Sequence, residues 1–136
     1  MYTVKEVAKL LDLTEHTIRY YTDQGLVPSL QRDKNNVRLF DEESISWLKG
    51  AKYLKESGMT IEAIKNYIDL CLEGPSTITQ RHEILLEQKE NVLQQLKEAQ
   101  ERATFMIDKV KHYEDILNGV TPDNMNPANS FRKQTI

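Results

Sequence analysis

The hydrophobic positions at the start of the chain repeat at helical spacing and predict two short helices. Thr3 and Glu6 form a capping box, a pattern that starts a helix. The apolar face that follows has spacings of three and four: Val4, Val7, Ala8 and Leu11. Asp12-Leu13 is a turn, Thr14 caps a second helix, and Gly25 ends it. This arrangement predicts a helix-turn-helix, in which the second helix enters the major groove of DNA.

The segment after the second helix predicts a β-hairpin. Leu26–Pro28 leads into a polar stretch, and residues 37–40 then read Val-Arg-Leu-Phe. Because asparagine tolerates positive φ, we place the tip of the hairpin near Lys34 to Asn36. A hairpin directly after a recognition helix is a wing, so the predicted fold is a winged helix-turn-helix.

Two further helices complete the predicted DNA-binding domain. Asp41 caps a third helix that ends at Gly58, and Thr60 caps a fourth that Gly74-Pro75 stops. The apolar positions of these two helices are Ile45, Leu48 and Leu54 in the third and Ile61, Ile64, Ile68, Cys71 and Leu72 in the fourth.

The longest predicted helix opens with a second capping box, Thr77 and Gln80, and carries a coiled-coil seam. Its seam positions alternate by four and three, and nine of the ten are apolar or aromatic: Leu85, Lys89, Val92, Leu96, Ala99, Ala103, Met106, Val110, Tyr113 and Leu117. A helix of roughly 40 residues is ~60 Å long, and this chain has no second helix of that length. We therefore predict a homodimer. Lys89 either sets the pairing register or lies beyond the end of the seam.

These elements predict a mainly α-helical protein with three segments: residues 1–75 bind DNA, 76–118 dimerise, and 119–136 form a flexible tail. No apolar run approaches the roughly 20 residues that span a bilayer, and the N-terminus lacks the apolar core of a signal peptide. We therefore expect a cytoplasmic protein with no membrane partner. The one cysteine, Cys71, fits a reducing compartment.

Charge narrows the possible nucleic-acid partners. The formal net charge of −3 argues against a protein that coats nucleic acid without sequence preference, because such proteins carry a positive excess. The case for DNA binding therefore depends on where the basic residues lie.

Several motifs, in this order and spacing, resemble the MerR family of bacterial transcription regulators. They are Thr3–Ala8, Thr17–Tyr21, Gly25–Val27, Asn36–Phe40 and Gly58–Ile61. The resemblance covers residues 1–75, and the coiled coil extends it to about residue 118. It implies a homodimer joined by an antiparallel coiled coil and bound to a near-palindrome, in a promoter whose spacer is too long for RNA polymerase. Bending and untwisting the DNA would then realign the promoter elements, so polymerase is an indirect partner.

The candidate DNA contacts lie on the second helix and the wing. The resemblance implies phosphate contacts from Arg19, Tyr20 and Arg38, although Tyr20 could instead be a core aromatic and Arg38 a solvated strand residue. His16 and Thr17 lie near the end of the recognition helix that meets base edges, and ordinary exposed polar residues explain them equally well.

Two candidate residues lie outside the recognition helix and the wing. Lys55 matches a family position that reaches DNA phosphate, and the alternative is a solvated lysine. Cys71 could be a thiol sensor, as in relatives that respond to electrophiles, but it lies on the apolar stripe of its helix and we favour a core residue. In aldehyde-responsive relatives the cysteine would lie five residues before Gly58, where this chain has Tyr53.

Metal, cofactor and enzyme functions are disfavoured. Metal-responsive relatives use thiolates near the end of the long helix, but no cysteine follows Cys71, and His112 alone falls short of three or four ligands. No phosphate-cradling glycine loop or nucleophile-base-acid set is recognisable, so we predict no cofactor and no catalysis. A coiled-coil adaptor would leave the winged domain without a role. A sequence-specific transcription regulator accounts for every predicted element.

The effector of such a regulator is unknown from the sequence. The 119–136 tail is too short for a ligand-binding domain, so a small effector would bind between residues 60–118 of one subunit and the winged domain of the other. The candidate pocket aromatics, which core packing also explains, are Trp47, Tyr53, Tyr67 and Phe105.

Overall fold

The computed structural model describes residues 1–129 and confirms the mainly helical fold. The elements, in chain order, are α1 (Val4–Leu11), α2 (Glu15–Asp23), β1 (Gln31–Arg32), β2 (Arg38–Leu39), α3 (Glu42–Glu56), α4 (Ile61–Glu73), a 3-10 turn (Pro75–Thr77) and α5 (Ile78–Leu117). Within the described range, no helix combines the length and apolar character needed to cross a membrane.

The helices start where the capping residues predict. The Thr3 hydroxyl accepts the Glu6 N–H, and the Glu6 carboxylate accepts the Thr3 N–H, each at 3.2 Å, so the capping box of α1 is confirmed. In each of the next three helices, the side chain of the N-cap residue accepts a hydrogen bond from the backbone N–H three residues later. The donors and acceptors are Thr17 N–H to Thr14, Ser44 N–H to Asp41 and Ala63 N–H to Thr60. These local hydrogen bonds satisfy donors that a helix start leaves free.

The capping box predicted for Thr77 and Gln80 is wrong. Thr77 ends the 3-10 turn and is buried, and its hydroxyl lies 2.6 Å from the Leu70 carbonyl and 2.8 Å from the Gly74 carbonyl, both of which can accept its proton. The same oxygen accepts a hydrogen bond from Arg81 Nε at 3.0 Å. Thr77 therefore joins the end of α4 to the start of α5, a role that depends on the contact between the two helices.

The wing is a two-stranded antiparallel hairpin in which Gln31 pairs with Leu39. At its tip, the Asp33 carboxylate accepts the Asn35 N–H at 2.8 Å and the Val37 N–H at 3.0 Å. Asn36 has a φ of 64°, which confirms both the position of the tip and the reason for asparagine there.

The core lies where α1, α2, α3, α4 and the base of the wing meet. The largest fully buried apolar side chains are Val7, Ile18, Leu26, Phe40, Leu48 and Ile64. Phe40 also exchanges two backbone hydrogen bonds with Tyr2, at 2.7 and 2.9 Å. The returning strand of the wing is therefore attached to the core by both its backbone and its aromatic ring.

The chain divides into two compact units, Met1–Val92 and Leu93–Ile136, and the second is described as far as residue 129. The first unit includes the first turns of α5, where Ile84 packs against the core, whereas the prediction assigned these turns to the dimerisation segment.

Helix α5 has no buried residue, and most of its apolar side chains are exposed, although Ile84 and Ile116 are partly buried. The predicted seam is exposed wherever it carries a large apolar side chain: Leu85, Val92, Leu96, Met106, Val110, Tyr113 and Leu117. Three further exposed residues, Leu86, Leu93 and Ile107, lie next to the seam and widen the apolar stripe. This second row was not predicted, because it lies outside the alternation by four and three that defines the seam.

The predicted tail begins at Gly119, which has a φ of 73° at the end of α5. The Val120 N–H donates to the Asp115 carbonyl at 2.8 Å, and the Asn129 side chain donates to the Asp123 carbonyl at 2.7 Å. Met125 lines a cavity with Phe105 and His112 in the second unit. Residues 130–136 lie outside the described residues, so the flexibility of the tail stays a prediction.

Candidate DNA-binding surface

The recognition helix α2 is fixed by its inward face. Ile18 is fully buried and Tyr21 nearly so, and burial raises the pKa of Tyr21, with a smaller contribution from Glu56. The residues between them face outward because side chains one position apart on a helix point in different directions. The packing of two side chains thus decides which residues of α2 are free to meet DNA.

His16 and Thr17 lie in the first turn of α2, as predicted. His16 is exposed, whereas Thr17 is partly buried. The Thr17 hydroxyl accepts a hydrogen bond from the N-cap hydroxyl of Thr14 at 2.8 Å. His16 is therefore the freer of the two predicted base-reading side chains.

Arg19 and Tyr20 are both exposed on α2. Arg19 Nη2 donates to the Glu15 carboxylate at 3.1 Å in a pair whose side chains are 48% and 45% exposed. Tyr20 is 44% exposed, and its ring centroid lies 6.2 Å from that of Tyr21. Tyr20 is therefore not a core aromatic, and a pair as exposed as Arg19 with Glu15 is weak enough to yield to a phosphate.

Arg38 connects the wing to the recognition helix. Its Nη2 donates to Asp23 Oδ1 at 2.8 Å, and the two side chains are 20% and 58% exposed. Its Nε is buried and has no hydrogen-bond partner among the described residues. Arg38 is thus held against Asp23, the last residue of α2. The alternative prediction, in which Arg38 is a solvated strand residue, is wrong. Asp23 was not predicted from the sequence, because no local pattern links residues 15 positions apart.

Lys55 lies apart from this pair, exposed in the last turn of α3. Its backbone carbonyl accepts the N–H of Gly58 at 3.0 Å, and Gly58 has a φ of 105°. That turn holds the end of α3 in place while the lysine side chain stays accessible.

A groove of about 370 Å³ lies between α3 and α4, on the same unit as the recognition helix. It brings together Trp47 and Tyr67, two of the four aromatics named as pocket candidates. Tyr53 lines a different cleft and Phe105 belongs to the second unit. Cys71 lines the groove and is partly buried, so the prediction that it is a core residue is only partly confirmed.

Among the described residues, no group of His, Cys, Asp and Glu has the geometry of a metal site.

Comparison with known proteins agrees with this architecture. Residues 2–71 match the family model described as MerR HTH family regulatory protein. The chain is 35% identical over 91 residues to the HTH-type transcriptional regulator AdhR of Bacillus subtilis, a match that covers 67% of this chain and 65% of AdhR.

Solved structures extend the similarity beyond the winged domain. A MerR-family regulator from Bacillus thuringiensis is 40% identical, with a TM-score of 0.74 over 82% of this chain and 98% of the other. HiNmlR, a MerR-family regulator that lacks the sensor domain and was solved bound to promoter DNA, is 27% identical, with a TM-score of 0.75 over 86% of this chain and 93% of the other.

Proposed function

Since this chain belongs to the MerR family of helix-turn-helix regulatory proteins and is a DNA-binding transcription regulator rather than an enzyme, we propose that it acts as a homodimer on promoter DNA. The observation that carries the proposal is the link between α2 and the wing through Arg38 and Asp23, which makes them one surface. HiNmlR, whose chain aligns over most of this one, is bound to promoter DNA.

In this proposal, Arg19, Tyr20 and Arg38 contact phosphate, and Lys55 adds a phosphate contact from the end of α3. His16 and Thr17 face base edges. The exposure of His16, Arg19, Tyr20 and Lys55 supports these assignments. Phosphate contacts would set the position of each winged domain, and the two residues at the start of α2 would contribute sequence preference.

The proposed dimer forms through residues 76–118 as an antiparallel coiled coil. Its support is the exposed apolar stripe of α5, in which Leu96 is 52% and Val110 58% exposed. A monomer rarely leaves a contiguous apolar surface of this kind in water, and a second copy would bury it. The neighbouring row of Leu86, Leu93 and Ile107 gives that interface additional apolar width.

We further propose that the dimer regulates by deforming DNA. Two winged domains held by one coiled coil would bind a near-palindrome between the promoter elements, inside a spacer longer than RNA polymerase prefers. An effector would change how they twist the DNA, and polymerase would respond to the realigned promoter. Regulation of a promoter requires access to the chromosome, so we assign the protein to the cytoplasm.

The DNA-contact proposal is tested by the salt dependence of binding to a promoter duplex that carries the preferred site. Arg19→Ala and Arg38→Ala should each flatten the slope of log affinity against log salt by roughly one unit per lost phosphate contact. Lys49→Ala, an exposed lysine of α3 outside the proposed contacts, is the matched control and should leave the slope unchanged. Arg38→Ala binding with the wild-type slope would remove Arg38 from the phosphate contacts.

The dimer proposal is tested by sedimentation at micromolar concentration. Leu96→Asp or Val110→Asp should give monomers that lose operator binding, because each places a charge in the apolar seam. Thr104→Asp adds the same charge to an exposed position off the seam and should leave the dimer intact. A monomeric wild-type protein would contradict the proposal.

The twist mechanism is tested separately with promoter reporters. Shortening the spacer by two base pairs should give high expression without the regulator, and adding the protein should produce no further increase. If footprints instead place the site outside the spacer, the protein acts as a simple winged-helix repressor with the same DNA contacts.

A further inference from the structure

The groove between α3 and α4 has the features of a small-molecule site. Its volume of about 370 Å³ falls in the range of ligand pockets. The apolar part of its lining comes from Ala51 and Leu54 of α3 and Ile68 of α4, and the aromatic rings of Trp47 and Tyr67 lie on opposite helices. A molecule that enters this groove would exchange water for apolar side chains on two sides.

A glycine opens the groove at the middle of α3. Gly50 lies inside a helix of 15 residues, where glycine is unfavourable relative to alanine. A Cβ added at Gly50 meets nothing within 4 Å, so no neighbour within the described chain requires a glycine there. Because Gly50 lines the groove, its missing side chain leaves space for something outside the chain.

An indole donor in the same lining has no partner. Trp47 Nε1 is buried and makes no hydrogen bond to any described residue. An indole N–H can only donate, so it needs a hydrogen-bond acceptor. The backbone carbonyls of a helix from another subunit are already bonded within that helix, so such a helix could reach this donor only with a side-chain acceptor. A small molecule with a carbonyl oxygen would satisfy the donor as the ring adjusts to it.

The remaining polar groups define the charge of the ligand. Glu43 is the one charged residue among those that line the groove, and its carboxylate disfavours an anion. Across the groove, burial raises the pKa of Tyr67, and the adjacent Cys71 raises it further, so the phenol stays neutral. Because Glu43 is exposed, water screens its attraction for a cation as well, and the lining therefore suits a neutral molecule.

We infer that this groove binds a small, neutral, largely apolar molecule with one carbonyl acceptor, and that it is the effector site of the regulator. The second part of the inference rests on the proposed function. It places the effector within the Met1–Val92 unit of a single subunit, with Trp47 as the hydrogen-bond donor and Gly50 as the residue that admits the ligand.

Trp47 is the only tryptophan of the chain, so its indole N–H gives a single cross-peak in a ¹⁵N-labelled NMR spectrum. The probe is methyl benzoate, an apolar ester with a carbonyl acceptor, and propylbenzene is the acceptor-free control of nearly the same size. Methyl benzoate should shift the indole peak downfield in a saturable manner. Propylbenzene should bind at least about tenfold more weakly, because it leaves the indole donor unsatisfied.

The variant Gly50→Leu should fill the groove and abolish the saturable shift. Lys49→Leu, which makes the same apolar change one residue earlier and outside the groove, should retain it. Cross-relaxation between methyl benzoate and the Tyr67 ring in the wild-type protein gives a second readout that does not depend on the folding of a variant.

Three results would overturn the site: no saturable shift, equal affinity in Gly50→Leu, or an absence of cross-relaxation to Tyr67. An indole peak that moves with protein concentration alone would assign the groove to a second copy of the chain and also overturn the proposal. The NMR titration contains no DNA, so failure of the groove is distinct from failure of DNA binding. A protein that binds its operator but not methyl benzoate contradicts only the present inference.

Discussion

The contact between Arg38 and Asp23 allows a quantitative test of how the wing is held on the recognition helix. The perturbation is Asp23→Asn, alone and combined with Arg38→Ala. The two atoms lie 2.8 Å apart, but the aspartate side chain is 58% exposed, so solvent screens the pair. For such a contact we expect a coupling free energy of about 0.5–1 kcal/mol, at the upper end of the range for exposed ion pairs.

Two effects on DNA binding oppose each other. Removing a carboxylate from a surface that meets phosphate reduces repulsion and would strengthen binding. Removing the contact lets the wing move in the free protein. Binding to DNA must then order the wing, and this loss of conformational entropy weakens the affinity. Because the Asp23 charge is already compensated by Arg38, we expect the second effect to dominate. The predicted result is about two- to fivefold weaker binding, the factor that corresponds to about 0.5–1 kcal/mol.

The assay is a double-mutant cycle measured by fluorescence anisotropy on a promoter duplex and by urea unfolding. Glu15→Gln is the matched control, because it removes the partner of the other arginine without touching the wing. We expect it to free Arg19 for phosphate and tighten binding, the opposite sign to Asp23→Asn. The reasoning is refuted if Asp23→Asn tightens binding, or if the two single changes add within about 0.3 kcal/mol in both measurements.

Other contacts give further predictions. Thr77→Val keeps the shape of the side chain but removes the hydroxyl that serves the Leu70 carbonyl, so urea unfolding should show a loss of about 1–3 kcal/mol, and unchanged stability would contradict this role. The backbone N–H of Ser44 lowers the pKa of Asp41, so this cap stabilises the fold above the unfolded pKa of the carboxyl, and the stabilisation is lost as pH falls through the lower folded value. Thermal melts between pH 2 and 6, a window that spans the ordinary pKa of an aspartate, should therefore show a shallower acid transition in Asp41→Asn. An identical pH profile would argue against this role of the Asp41 carboxylate. Cys71→Ser should lower the melting temperature and leave DNA binding intact; an electrophile response lost in this variant with unchanged melting would indicate a thiol sensor instead.

The sequence by itself determined the features whose causes are local. The N-caps of α1 to α4 depend on a side chain and an N–H three residues away, so the pattern of Thr3 and Glu6 was enough to place the start of α1. The wing tip was equally predictable, because Asn36 adopts positive φ for reasons internal to one residue. The outward positions of His16 and Arg19 followed from helical spacing once Ile18 and Tyr21 were assigned to the core.

The tertiary structure decided what depends on residues distant in sequence. Asp23 and Arg38 meet because the wing folds back on α2, and no periodicity links them. Thr77 fits the pattern of an N-cap, yet its hydroxyl faces the Leu70 carbonyl because α4 ends beside it. Trp47 and Tyr67 were both plausible core aromatics, and only the packing of α3 against α4 shows that they line one groove. Sequence patterns record hydrogen bonds within one turn of the chain, whereas pairings across elements depend on how the helices pack, which no local pattern encodes.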